Sequence, residues 1–522
     1  MNRRAAILCI ILLALVVRLY RADDPFGGFH GFNEAWYAII ARNYFNGSLL
    51  MPTSYLGAVD YNVPPLFTYF LYVFYMFFGE SEFTSRLVPA LFSALAVYFA
   101  YRLCGLLYDA RAGIAAALLA SVVPVSVIVG RNVQVDMTAA AFILAFLYFY
   151  VRDRGRGGTA SLLPAGLCLG AAVFTKQPSI LALAAVVAWE IAATRGAGFL
   201  NRRFLVMIAA AVLVPAPFYG YHLAVHPGEF FKAQTGGAAS LVEVPGIEAA
   251  RGLLDEVWWA LSPPAAVAAL AALASALFRP SRSDLLLMLC IVVFGAFFAF
   301  FHKHTYYVLP AALFAVMLCS RLWSGGRAAR VRGAALIFAA AASLAVSFSL
   351  LAGVKYGWET FARFGAALDS LGASGAVILT DERVKGSFGP LIKYYAPDSE
   401  TMTFNSLPLD PRGIAAIDYD RGFVLFFDYA FPFAIPEDMK KTIYMDVEGL
   451  FLFGFLIHAR YRDNRANPHQ FAAARLAVKK AAPFHVFGFR RLKSVKIAKF
   501  VYLKRPYYIR FVDGGYRVML GR

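Results

Sequence analysis

Apolar runs of membrane-spanning length recur along the first 353 residues. They predict spans near 5–21, 86–107, 112–130, 136–151, 160–175, 178–194, 204–225, 259–278, 284–301, 305–322 and 333–353, a polytopic helical bundle of about 11 spans. One interruption stands out. Residues 22–85 are too polar for lipid and too apolar for an ordinary linker, with Asp23, Asp24, His30, Asn33, Glu34, Asp60 and Asn62 set among Trp36, Tyr37, Tyr55, Tyr61 and Pro64-Pro65. Carboxylates and aromatics gathered at a lipid surface are an arrangement for binding or chemistry. Within this loop Trp36, Ile40 and Tyr44 recur at four-residue spacing and Gly47 is a stop signal, which predicts a short amphipathic helix. Pro65–Phe78 is apolar but short.

After residue 353 the pattern changes. Residues 354–522 are mixed, charged and punctuated by Gly and Pro, as in a soluble α/β domain large enough to bury its own core. Ala376–Thr380 and Phe423–Phe427 read as buried strands, and Leu391–Tyr395 as a helix. From Lys440 onward the domain is strongly basic (Lys479, Lys480, Arg490, Arg491, Lys493, Lys496, Lys499, Lys504, Arg505) and holds much of the net charge of +18. Anionic headgroups or an acidic glycan suit this region better than nucleic acid, and a plain solvated face is the alternative.

Composition narrows the class. At 60% hydrophobic and 16% charged residues the chain is not one soluble domain. The five cysteines (Cys9, Cys104, Cys168, Cys290, Cys319) all lie in apolar runs and read as buried thiols, with no metal or redox spacing. Arg18, Tyr20 and Arg21 occupy the place of a small-residue cleavage site, so Met1–Tyr20 reads as an uncleaved first span.

Basic connections set the orientation. Asp109–Arg111, Arg152–Arg156, Arg195–Arg203, Arg279–Arg282 and Arg321–Arg332 fall on the same side as Arg3 and Arg4, the cytoplasm, only if Pro65–Phe78 does not cross. That segment is therefore expected to lie along the interface. Residues 22–85, 131–136, 176–177, 226–258 and 302–304, with the C-terminal domain, then face outward.

Several polar groups on that face have both a plain and a chemical reading. Asn33 and Glu34 read plainly as an N-cap and a carboxylate complementing the helix dipole, and Asp136 as an N-cap opening the next span. Lys176 and Arg86 read plainly as snorkelling cations. His302-Lys303-His304-Thr305-Tyr306-Tyr307 joins cations to belt aromatics; it suits a phosphate, while a metal lacks a completing Cys or Glu. Taken together, two acids and several cations on one face form a site for an anionic lipid-linked substrate and a base-assisted transfer.

These residues resemble the dolichyl-phosphate-mannose protein mannosyltransferase-like family, which includes the aminoarabinose transferases, over about the first 350 residues. The matching pieces are Asn33-Glu34-Ala35-Trp36-Tyr37, Pro64-Pro65-Leu66, Arg86, Arg131–Asp136, Phe174-Thr175-Lys176 and Tyr306-Tyr307-Val308-Leu309-Pro310. The resemblance implies a C-type glycosyltransferase fold and a polyprenyl-phosphate sugar donor. It also implies inverting transfer at the outer face to a lipid, glycan or protein acceptor. The family's usual Asp-Glu pair is Asn33-Glu34 here, and an amide cannot accept a proton. The basic or acidic residue often found before Pro-Pro is also missing, being Asn62-Val63.

The expected catalytic residues are Glu34, Asp136 and Asp60. The expected donor-phosphate residues are Arg86, Arg131, Lys176, His302, Lys303, His304, Tyr306 and Tyr307, with no metal ligand assigned. No cofactor is certain and a divalent metal stays open. The domains are 1–353, transmembrane, and 354–522, extracytoplasmic, in a protein of the bacterial cytoplasmic membrane. A transporter or flippase of a lipid-linked glycan is the rival reading. Transporters place polar groups on broken helices near the midplane, and these spans read as mostly clean.

Overall fold

A computed structural model describes the chain except residues 1, 27–30, 62–63, 156–157, 195–200, 241–256, 259, 301–304, 326–328, 355–361, 363–376, 381, 404–420, 427–446, 453–454, 458–475, 479–484, 492–496, 503–504, 513–514 and 521–522. Two compact units emerge. One comprises residues 1–23, 40–352 and 450–476, the other 24–39, 353–449 and 477–522.

The first unit is a helical bundle. Helices α1 (Arg3–Leu19), α4 (Glu82–Leu107), α5 (Ala110–Val122), α7 (Val135–Asp153) and α8 (Leu163–Thr175) form its centre, with α4 against α1, α5 and α7, and α7 against α8. Their facing side chains are small: Ala96, Ala100, Ala116, Ala120, Ala140 and Ala141 are all buried. In lipid, where apolar burial gives no net drive, such residues let backbones approach and dispersion hold them.

Helices occupy each of the eleven expected segments. Among the described residues four are long and apolar enough to cross a bilayer, or five if one bent pair counts as a single span. Two segments are not clean spans. Residues 112–130 break into α5 and α6 (Pro124–Val129), because Pro124 has no N–H for the carbonyl one turn back. After α9 (Leu181–Thr194), residues 202–225 bend by 55° between α10 (Arg202–Leu213) and α11 (Ala216–Val225), at Pro215. At both places a segment expected as a single span is interrupted.

Two helices sit in the long first loop. Helix α2 (Gly31–Asn43) starts before Asn33, so Asn33 lies in its first turn and is not its N-cap. Helix α3 (Leu66–Phe78) has 13 residues, a rise of about 20 Å against a hydrocarbon core of about 30 Å. That length suits an interfacial segment.

In the second unit, one seven-stranded sheet runs in the order Gly515–Leu520, Arg505–Val512, Ile497–Tyr502, His485–Arg491, Arg421–Phe426, Val377–Thr380 and Glu400–Thr403. Val377–Thr380 pairs in parallel on both sides, and the strands from Arg421 outward pair antiparallel. Helix Glu382–Tyr395 connects Val377–Thr380 to Glu400–Thr403, as a parallel crossover requires. Segment 24–39 belongs to this unit: the Phe26 N–H donates to Tyr395 Oη at 2.7 Å, and the Phe26 and Tyr394 rings lie 4.6 Å apart.

Candidate active site

The site begins at the break between α5 and α6. Losing the Pro124 N–H and turning the chain at Val123 frees carbonyls at the end of α5. Arg18 of α1, fully buried, takes two of them, donating to Ser121 O at 2.9 Å and Ala120 O at 3.5 Å, and also to Ser126 Oγ at 2.9 Å. Ser347 Oγ donates to Val122 O at 2.7 Å. The break is thus satisfied by side chains from two other helices, and α6 is fixed in a new direction. It ends at Gly130, where a Cβ would lie 2.5 Å from Ser126 O and 2.6 Å from Arg18 Nε, so only glycine fits without displacement.

Beyond Gly130 the chain turns through Arg131–Gln134 into α7. The Arg131 guanidinium donates to Arg21 O at 2.5 Å, and Arg86 of α4 donates to Ala22 O at 3.0 Å. Both arginines are buried and both hold the chain leaving α1. Arg21 has a φ of 54°, uncommon for a residue with a Cβ, and its carbonyl is the one Arg131 holds.

Asp136 is the second residue of α7, and Gln134 takes the cap position. The N-cap reading of Asp136 is therefore corrected. Its carboxylate is buried and accepts a charge-assisted hydrogen bond from Lys176 Nζ. Lys176 ends α8 in extended conformation, where Gln177-Pro178 starts a 3₁₀ turn that prevents the helix from continuing. Its ammonium also lies 4.1 Å from the Tyr307 ring centroid and 5.1 Å from that of Tyr306. The Lys176 ammonium is thus held by a carboxylate and two rings, beyond what the plain reading of a snorkelling cation supplies. Three segments far apart in sequence converge on one cation, and the ammonium has three N–H donors for one carboxylate. Such a group can accept a phosphate beside or in place of Asp136.

Asp60, also buried, closes a small loop in the first unit. Thr53 and Val59 form a β-bridge, and the Asp60 N–H donates to Pro52 O at 2.7 Å. The loop is tied to α11 and the helix after it. His222 Nε2 bonds Leu50 O at 2.8 Å, and Tyr61 Oη donates to Glu229 at 3.2 Å. Burial, then the neighbouring Glu229 carboxylate, push the Tyr61 phenol above its ordinary pKa. Glu34 lies in the first turn of α2, in the second unit, and is 1% exposed. His302, Lys303 and His304 fall outside the described residues. Among the described residues no three His, Cys, Asp or Glu side chains converge as metal ligands. Sequence reading marks Arg18 only as an obstacle to signal cleavage and does not mark Ser347; the signal for their role at the break was Pro124 inside an apolar run.

Residues 62–221 match the family model described as dolichyl-phosphate-mannose-protein mannosyltransferase. No curated protein matches the chain by sequence. Among solved structures, the apo form of ArnT from Cupriavidus metallidurans is similar at 14% identity and a TM-score of 0.66, covering 87% of this chain and 97% of that one. The same protein bound to undecaprenyl phosphate gives 14%, 0.60, 84% and 95%. The apo oligosaccharyltransferase of Archaeoglobus fulgidus gives 13%, 0.52, 81% and 69%. The chain is thus an integral membrane protein sharing the fold of these transferases. It resembles the mannosyltransferase family in the segment that carries Arg86, Arg131, Asp136 and Lys176.

Proposed function

We propose that the protein is an inverting glycosyltransferase that moves a sugar from a polyprenyl-phosphate donor to a lipid, glycan or protein acceptor at the outer face of the membrane. The observation that carries this reading is Lys176, paired with buried Asp136 and flanked by Tyr306 and Tyr307, at the end of a helix inside the family-matched segment. Similar structures bind undecaprenyl phosphate and, in the archaeal enzyme, dolichol-phosphate.

The acceptor hydroxyl or amine attacks the anomeric carbon from the face opposite the phosphate. The bond between that carbon and the phosphate oxygen breaks, and the lipid phosphate leaves with the electron pair. Cations lower the barrier by meeting charge as it develops on the leaving group. Lys176 takes this role, with Arg86, Arg131, the 302–304 cluster, Tyr306 and Tyr307 assigned beside it. A carboxylate receives the acceptor's proton. Glu34 is the first assignment, with Asp136 and Asp60 behind it; Asn33 carries an amide and cannot serve.

In this reading about 11 spans place residues 1–353 in the cytoplasmic membrane, and residues 354–522 form an extracytoplasmic α/β domain. The two broken spans are what favour a transporter of the same lipid-linked glycan. Mass spectrometry of surface lipids and glycoproteins separates the readings in a deletion strain. Loss of one sugar from one acceptor, with the unspent lipid-linked donor on the outer leaflet, supports transfer. A donor trapped on the inner leaflet contradicts it and indicates transport.

A further inference from the structure

We propose that Tyr98, Arg102, Tyr148 and Arg152 form a binding site for the phosphate headgroup of an anionic phospholipid, at the end of the bundle opposite the Asp136–Lys176 pair. In α4, Leu91, Leu95, Tyr98, Arg102 and Leu106 fall on one stripe at helical spacing, and Leu91 and Leu106 are exposed. Leu95, Tyr98 and Arg102 between them are half-buried, so the stripe runs along the edge of the bundle and its two exposed leucines are the part assigned to lipid. Arg102 is five residues from the end of α4, a rise of about 7–8 Å, which places its guanidinium within reach of the headgroup level.

The partners of Arg102 are unusual for a charge on such a stripe. One terminal nitrogen donates to Tyr98 Oη at 2.6 Å and the other to Tyr148 Oη of α7. Its guanidinium carbon also lies 5.0 Å from the Tyr148 ring centroid and 5.6 Å from that of Tyr98. Among the described residues no carboxylate pairs with it. Arg152, one turn further along α7, stands 5.3 Å from the Tyr148 centroid and is paired with Asp153. Two guanidiniums thus flank one tyrosine, and only one of them has an anion.

Each phenol oxygen that accepts from Arg102 still has its own hydrogen to give. The cluster therefore offers the half-buried Arg102 guanidinium edge and Tyr98 O–H, with the Tyr148 O–H buried behind them at 3% exposure, and no acidic acceptor of its own beyond Asp153. A tetrahedral phosphate monoanion supplies the missing acceptor oxygens and the missing charge. Basic pockets between spans at the headgroup level bind such lipids. Free phosphate has the same chemistry, but the two exposed leucines of the stripe bring acyl chains with the headgroup, so the lipid is the occupant assigned.

The experiment uses the full chain in phosphatidylcholine nanodiscs, with or without phosphatidylglycerol. Native mass spectrometry counts retained lipids and thermal unfolding gives Tm. The wild type should retain phosphatidylglycerol at least fivefold over phosphatidylcholine and gain Tm from it. Arg102→Met and Tyr148→Phe should each lose that preference, while Arg279→Met, an exposed arginine at the same end, should keep it. If Arg102→Met does not fold, Tyr98→Phe carries the same test at a half-buried position. Equal retention in wild type and variants overturns the site, as does an equal loss in Arg279→Met, which would indicate a diffuse basic field. A Tm gain from inorganic phosphate in phosphatidylcholine discs as large as that from phosphatidylglycerol overturns the lipid as occupant. The proposed transfer activity plays no part in these readouts.

Discussion

Lys176 and Asp136 show what a single pair contributes. In sequence each has a local explanation, a snorkelling cation and a helix cap. Only the packing of α7 against α8 brings them together, 40 positions apart. No local pattern encodes such a contact, which is why the residues were legible in sequence and their pairing was not. Glu34 and Asp60 were legible in the same way, as acids in a polar loop, and burial is what the structure adds. An acceptor must lose its proton to a carboxylate within hydrogen-bond reach, and base catalysis contributes about 10²- to 10⁴-fold. Glu34→Gln is therefore expected to lower kcat by roughly 10²-fold or more while donor binding, read by titration with a polyprenyl phosphate, stays within about twofold. Full turnover in this variant would move the base to Asp60 or Asp136.

Among the elements, the break at Pro124 contributes most to placing the site. Apolar content alone marks 112–130 as one span, because hydropathy does not register a missing N–H. The proline was visible; that Arg18 and Ser347, from distant helices, satisfy the break was not. Arg18→Met would leave the Ala120 and Ser121 carbonyls without these donors, at about 1–3 kcal/mol, the lower part of the range being usual within membranes. A lowered Tm in detergent is expected. Pro124→Ala in that background should recover part of it by returning an N–H to Ala120. No recovery would mean that Arg18 does not stand in for the absent donor.

Asp109, between α4 and α5, makes a pH-dependent tie. Burial acts to raise the pKa of its carboxyl, but hydrogen bonds from the Ala112, Gly325 and Arg111 backbone N–H groups, with the Arg111 charge, outweigh it and hold the pKa below the ordinary value. A depressed folded-state pKa stabilises fully above the unfolded value of about 4 and is lost as pH falls through the folded one. The Tm difference between wild type and Asp109→Asn should be constant from neutral pH down to about 5 and shrink below about 4. A difference that grows in acid would reverse the sign.

At the scale of the whole molecule, the succession of helices was legible because lipid demands long apolar runs with satisfied backbones. The grouping of residues 24–39 with the C-terminal part was not, since it depends on contacts such as that of Phe26 with Tyr395. In the proposed orientation, read from the basic connections, the C-terminus lies outside. A fluorescent protein that folds poorly after export, fused behind Arg522, should stay dark, and bright fluorescence would invert the proposed orientation.

The activity proposed for the protein is cleavage of a lipid-phosphate sugar at a site that depends on Lys176. Its most direct measurement follows a radiolabelled polyprenyl-phosphate sugar incubated with the purified protein and a membrane-lipid extract containing acceptor. Wild type should release free polyprenyl phosphate and move the label to acceptor. Lys176→Ala should weaken donor binding by about 2 kcal/mol, roughly thirtyfold. An intact donor after incubation with folded wild-type protein, or Lys176→Ala turning over and binding donor as wild type does, would contradict the account.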